Sequence, residues 1–142
     1  ERWRARHQKR REALREEDLA AASSRPIETR WVVHELNQIL PPDSVVVDET
    51  ITHRLEINRG LDRLTPGRFF EGCYGGLGTG LGTALGVKAA APERPVIAVI
   101  GDGSFNYNPV LAALGVCQEH RLPILSRDRH FDSVAGLERK SW

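Results

Sequence analysis

The chain has 142 residues, 40% of them hydrophobic and 27% charged, with 20 basic and 19 acidic side chains and a formal net charge of +1. That composition suits one ordinary domain with its own core, or a piece of a larger protein, and excludes a globally disordered chain. The balanced charge gives no reason to expect nucleic acid or an anionic membrane as partner, and no apolar run is long enough to span a bilayer. Cys73 and Cys117 are too few for a disulfide framework and too far apart for a zinc motif. Both are expected to be reduced thiols in a cytoplasmic protein. No signal-peptide pattern opens the chain. There is no methionine and the first residue is Glu1, so part of a longer polypeptide is expected.

Residues 1–20 read as a charged helix without a strong apolar stripe. Arg2, Arg4, Arg6, Lys9, Arg10, Arg11 and Arg15 interleave with Glu1, Glu12, Glu16, Glu17 and Asp18. This interleaving favours a solvated helix, or a linker from a preceding domain, over a basic binding patch. Small residues closed by Pro26 make a loop of 21–26. A helix over 29–40 follows from Trp31, Val32, Leu36 and Ile39 at helical spacing, and Pro41 and Pro42 stop it. Val45, Val46 and Val47 mark a buried strand over 44–48. Beyond it, Asp48-Glu49-Thr50-Ile51-Thr52-His53 is a polar cluster leading to another helix.

Phe69 and Phe70 suggest a short strand. Glycines crowd positions 72–86, and a helix starting among them runs to about Ala90, with Pro92 and Pro95 beyond. Residues 95–100 (Pro-Val-Ile-Ala-Val-Ile) are the clearest buried strand. A helix over 108–120 carries Val110, Leu111, Leu114 and Cys117 on one side, and 122–125 reads as a further strand. From Ser126 onward the residues turn polar where a buried strand should continue, and no helix or strand pattern holds over 126–142.

Continuous apolar strands alternating with helices predict an α/β fold: a parallel sheet with helices on both faces. Ligands of such sheets sit at the carboxyl ends of the strands. The polar clusters 48–53 and 101–105 both fall there.

Gly101-Asp102-Gly103-Ser104-Phe105 follows a strand and precedes a helix. The glycines allow a sharp turn and close approach to a ligand. Asp102 is a hard oxygen donor suited to Mg²⁺ held with phosphate oxygens, and Ser104 and backbone N–H groups can donate to a phosphate. A simple turn with Asp102 capping the helix explains the same spacing, and both readings stay open at this point. The glycine-rich stretch does not make a dinucleotide fingerprint. Starting Gly-x-Gly-x-x-Gly at Gly76, Gly78 or Gly80 ends on Leu81, Thr83 or Leu85. There is no Walker lysine, which argues against a nucleotide-binding α/β domain. Helix packing accounts for most of these glycines on spacing alone.

Three motifs in one order carry a resemblance over about residues 27–125. They are Asp48-Glu49-Thr50-Ile51-Thr52, Gly75-Gly76-Leu77-Gly78 and Gly101-Asp102-Gly103-Ser104-Phe105. On these the chain resembles the C-terminal, diphosphate-binding domain of thiamine-diphosphate enzymes of the acetolactate synthase, pyruvate decarboxylase and benzoylformate decarboxylase group. The resemblance implies thiamine diphosphate and Mg²⁺ as cofactors, with Asp102 as a metal ligand. It implies cofactor contacts from Thr50, Thr52, Gly76, Gly101, Gly103, Ser104 and Phe105. Leu77 matches the bulky apolar residue that props the cofactor into a bent shape. His53 either faces substrate or is an exposed loop histidine.

The resemblance further implies decarboxylation or carboligation of 2-oxo acids or aldehydes, as a lyase or transferase, with the chemistry carried by the cofactor. It also implies a homo-oligomer and a pyrimidine-binding domain as partner, from the same or another chain. Catalytic residues are not assigned. One departure stands out. The family's metal motif closes with an Asn-Asn pair after the next strand, and here no asparagine follows Asn108. Asp128 or Asp132 could offer an oxygen instead. The expected organisation is a charged helix and linker over 1–26, the cofactor-binding domain over 27–125, and a divergent or misplaced tail over 126–142, so the fold is expected to be incomplete. The 142-residue chain alone is expected to be inactive, and a non-catalytic remnant with a broken metal site is the alternative.

Overall fold

A computed structural model describes residues 2–62, 64–72, 76–125 and 129–140. Cys73, Gly75 and Asp128, singled out above, lie outside the described residues. The chain opens with helix α1 (Arg2–Ala20), which buries none of its residues, as its mixed charge dictates. Its Arg11 pairs with Asp62, and Arg30 reaches back to Glu17 at 2.9 Å, so α1 is fastened to the domain by surface ion pairs.

Helix α2 (Thr29–Ile39) begins after the loop and ends before Pro41. Strand β1 (Val45–Glu49) follows and is buried at every residue. Helix α3 (Arg54–Gly60) returns the chain to strand β2 (Phe69–Glu71). Helix α4 (Gly80–Ala90) leads to strand β3 (Val96–Ile100). The four-residue helix α5 (Asp102–Phe105) and helix α6 (Val110–Glu119) come next.

The three strands form a parallel sheet in the order β2-β1-β3. Val46 pairs with Phe69 on one side and with Ile97 on the other. Side chains alternate between the faces of a strand. Val46 faces Val33 of α2 and Ile57 of α3, which with Leu61 make the buried apolar cluster; Leu40, Phe69 and Val99 pack around it. Glu49, of opposite parity, meets Gly80 of α4 on the other face. The parallel sheet with helices on both faces is therefore present.

Three expectations need correction. Residues 95–100 read as the clearest buried strand, yet every residue of β3 is only half-buried. Among the described residues β3 is an edge strand with β1 as its one neighbour. The strand expected over 122–125 forms only as β4 (Ile124–Leu125), and it does not join this sheet. It pairs in parallel with β5 (Arg139–Lys140) instead. The tail, expected to be patternless, contains that strand and a 3-10 turn at Arg129–Ser133. Local charge pairing explains this: Arg139 Nε and Nη2 donate to the two oxygens of the Asp132 carboxylate, at 2.6 and 2.8 Å, and Leu137 is buried. Gln118 of α6 donates to the Ala135 carbonyl and holds the tail against the domain.

This packing predicts contrasting stability effects. Val46→Ala removes two methyl groups from the centre of β1, the strand buried at every residue, and should cost about 2 kcal/mol. Leu111→Ala, at a side chain 86% exposed, should change stability by less than about 0.5 kcal/mol. Urea denaturation of the two variants checks the difference.

Candidate functional site

The site is built on the carboxyl ends of β1 and β3. Glu49 pairs with Ile100 in register, so the next residues, Thr50 and Gly101, leave the sheet side by side. The Gly101 N–H donates to the Glu49 carbonyl at 3.3 Å and ends the ladder. Thr50 is buried, and its hydroxyl Oγ1 has no hydrogen-bond partner. Asp102 opens α5, with Gly101 as the preceding cap residue and no side-chain cap hydrogen bond. Asp102 is thus the first helical residue rather than the cap, an acid in the first turn whose exposed carboxylate is open to solvent or a ligand. Gly103 is exposed with open space where a Cβ would stand, and Ser104 is buried.

The glycine-rich segment approaches this rim from α4. Gly78 has φ +91°, a left-handed conformation, and any Cβ there would strike the Tyr107 carbonyl. Leu77 beside it is partly exposed, as is Phe105, and Gly76 is exposed. Thr50, Gly101 and Ser104 are thus gathered with Asp102 and Gly103 on one rim, and the 76–80 segment lies against the turn that ends at Asn108. Thr52 stands exposed in the turn before α3 and is not drawn into that rim. His53 is also exposed, and its Nδ1 shares a hydrogen bond of 2.8 Å with the Thr29 hydroxyl, which fits the loop-histidine reading. Asp132 is committed to Arg139 in the tail.

Sequence reasoning missed two residues that organise this rim. Glu49 is almost fully buried. Its Oε1 accepts from the Thr79 N–H at 2.7 Å and the Thr79 hydroxyl at 3.2 Å, and its Oε2 accepts from Asn108 Nδ2 at 2.7 Å. The Asn108 side chain also donates to the Ser104 carbonyl at 3.0 Å and accepts from the Leu81 N–H at 2.9 Å. The Thr79, Gly80 and Leu81 N–H groups at the start of α4 are thus satisfied by the side chains of Glu49 and Asn108. The one signal in the sequence is an acid at the end of an apolar strand, next to a second acid.

Those neighbouring acids are shifted in opposite directions. Burial alone would push the Glu49 carboxyl up, but hydrogen bonds from Asn108, Thr79 and Gly80 outweigh it and hold the group below the ordinary range. Its contribution to stability is therefore present at neutral pH and is lost as pH falls through the folded value. Burial pushes Asp48 up, offset only in part by the nearby Thr50 hydroxyl, which makes no full hydrogen bond, and by the Thr50 N–H, which donates to Oδ1 at 2.9 Å; Oδ2 has no partner. Ionised Asp48 thus costs stability above its folded pKa, and the cost fades as pH falls through it.

These residues fit a diphosphate: an unpartnered buried hydroxyl stands beside a glycine turn open to close approach. For Mg²⁺ the described residues offer Asp102 but no cluster of three potential ligands. That fits an ion held by one carboxylate, phosphate oxygens and water, as Mg²⁺ commonly is.

The family model for the thiamine pyrophosphate enzyme C-terminal TPP-binding domain matches residues 52–126, more than half of the chain. The chain belongs to this family. Benzoylformate decarboxylase of Pseudomonas aeruginosa is 33% identical over 112 residues, covering 79% of this chain and 21% of the relative. An acetolactate synthase large subunit of Mycobacterium tuberculosis is 34% identical over 84 residues, covering 58% of this chain and 15% of the relative. A solved thiamine diphosphate-dependent 4-hydroxybenzoylformate decarboxylase of Rhodococcus jostii superposes with TM-score 0.62 at 29% identity, covering 70% of this chain and 18% of that one. The chain spans about a fifth, or less, of the length of these relatives. The family match ends where the tail begins. No described helix is long and apolar enough to cross a membrane.

Two measurements probe this thiamine-diphosphate-family domain without its cofactor. A Cβ at Gly80 would stand 2.8 Å from Glu49 Oε2, whereas one at Gly82 would meet nothing within 4 Å. Gly80→Ala should therefore destabilise by about 1–3 kcal/mol, and Gly82→Ala, inside the same helix, should stabilise by up to about 1 kcal/mol. Asp48→Asn should raise Tm at pH 7, with the gain shrinking as pH approaches 3 and the native carboxyl protonates. Thermal melts across that range test the sign.

Proposed function

We propose that this domain anchors the diphosphate of thiamine diphosphate, with Mg²⁺, in an enzyme that decarboxylates or ligates 2-oxo acids. The observation that carries the reading is the unpartnered, buried Thr50 hydroxyl beside the Gly101 turn. A phosphate oxygen would give that hydroxyl the acceptor it lacks. In this reading Thr50 donates to the diphosphate, and Gly101 and Gly103 let the backbone approach it. Ser104 contributes from the buried side of the turn, and the Asp102 carboxylate holds the metal against the phosphates. Leu77 supports the cofactor from the α4 side. Bound thiamine diphosphate supplies the nucleophilic carbon and the electron sink that such reactions need. The chain's own residues contribute binding and orientation.

The relatives point to 2-oxo acid substrates of the benzoylformate or pyruvate type. The pyrimidine end of the cofactor would be received by a partner domain, in an oligomer working in the cytoplasm. A non-catalytic remnant is the second reading, and one feature favours it: no asparagine follows Asn108 to complete the metal motif.

Asp102→Ala should weaken Mg²⁺-dependent thiamine diphosphate binding by at least about tenfold while leaving Tm unchanged, because an exposed carboxylate adds little to the core. Isothermal titration with and without Mg²⁺ measures it; equal affinity in wild type and variant would remove Asp102 from the metal site. The remnant reading predicts that wild type itself shows no Mg²⁺-dependent binding.

A further inference from the structure

We infer that Glu49 is a positioning residue for the cofactor, acting with Asn108 as a buried clamp. The clamp would fix the 76–81 segment against the 101–108 turn. The inference rests on the cofactor reading above but concerns residues outside the three motifs' assigned contacts.

The argument starts from the two oxygens of one carboxylate. Oε1 receives Thr79, at the start of α4, and Oε2 receives Asn108, at the end of the turn that begins with Gly101. Asn108 closes the circuit by accepting from the Leu81 N–H and donating to the Ser104 carbonyl. Every donor aimed at Glu49 therefore belongs to one of the two segments proposed to flank the cofactor. The packing leaves no slack. Gly80 lies against the Glu49 side chain, and Gly78 lies against the Tyr107 carbonyl, so each close approach requires a residue without Cβ.

The diphosphate contacts proposed above, Thr50, Gly101 and Gly103, need only the rim of the sheet. The Leu77 contact needs the other segment as well. The spacing between the two is what the clamp sets, so it should matter for the whole cofactor and little for the diphosphate alone.

Glu49→Gln tests this sharply. Whichever way the amide turns, its NH₂ group must face either the Thr79 N–H or the Asn108 NH₂, and a donor then opposes a donor. Asn108→Ala is the second variant, since it opens the Oε2 side and the Leu81 N–H while leaving Glu49 its Thr79 donors. Affinities for thiamine diphosphate and for inorganic diphosphate, both with Mg²⁺, are measured by titration on wild type and variants, alongside Tm and hydrogen exchange at the Thr79 and Leu81 amides. The expected result is faster exchange at one or both amides in Glu49→Gln and at Leu81 in Asn108→Ala, with a loss of at least about tenfold in thiamine diphosphate affinity. Inorganic diphosphate affinity should stay within about twofold. Unchanged thiamine diphosphate affinity in both variants would overturn the inference. Parallel loss of both ligands with a collapsed Tm would also overturn it, by showing a role in folding alone. A wild type that binds neither ligand would instead overturn the cofactor reading and take the clamp's function with it, while protected Thr79 and Leu81 amides would still report an intact clamp.

Discussion

Glu49 has almost no water around it, so the donors its carboxylate needs must come from the chain. That requirement organises the upper end of the domain. An ionised carboxylate placed in a protein interior is costly unless hydrogen bonds replace its hydration. Here Thr79, Gly80 and Asn108 replace it well enough to hold the group ionised below the ordinary range. The same bonds satisfy N–H groups at the start of α4, which would otherwise be left without partners. Two deficits, a buried anion and an uncapped helix, are each relieved by the other. The helix dipole works in the same direction, since a negative charge at a helix N-terminus is favoured. The Ser104–Asn108 turn is then carried into place by Asn108.

Asp48 shows what happens to a carboxylate on the same strand without such partners. Alternation along β1 sends it to the opposite face from Glu49. There the Thr50 N–H supplies one hydrogen bond and Oδ2 goes without. A buried polar atom left unpaired costs on the order of 1–3 kcal/mol. Asp48 Oδ2 and Thr50 Oγ1 are both in that condition, two residues apart, at the one edge of the sheet where a ligand is proposed. Native structures tolerate few such groups, and they concentrate at functional sites.

Much of this was legible in the sequence because it is local. Val45-Val46-Val47 and Val96–Ile100 announce buried strands, paired prolines stop α2, and Gly101-Asp102-Gly103 marks a strand-to-helix turn. The parallel sheet and the side-by-side placement of Thr50 and Gly101 follow from those signals and from strand-end logic. The Glu49–Asn108 bond was not legible, because it joins residues 59 apart and nothing in the motif that holds Glu49 points to Asn108. The glycine-rich stretch was legible as crowded but not as specific. Only the structure separates Gly78 and Gly80, which touch Tyr107 and Glu49, from Gly82 and Gly86, which meet nothing. The burial of β3 was misjudged because an apolar run reports what a strand could bury, not whether a neighbour arrives on each side.

That missing neighbour bears on the site itself. After Leu125 the sequence turns polar, and an apolar strand could not continue beside β3 without burying charge. β4 instead pairs with β5, where the mostly buried Arg139 side chain is matched by the half-exposed Asp132 carboxylate. Among the described residues β3 has β1 as its one strand neighbour, and the Gly101–Ser104 turn is tied to β1 and α4. In a parallel sheet the loops at the carboxyl rim are steadied by strands on both sides. Here the Gly101 N–H donates to the Glu49 carbonyl, and Asn108 ties the end of the turn to the Glu49 side chain. One residue therefore holds the turn by its backbone and by its side chain.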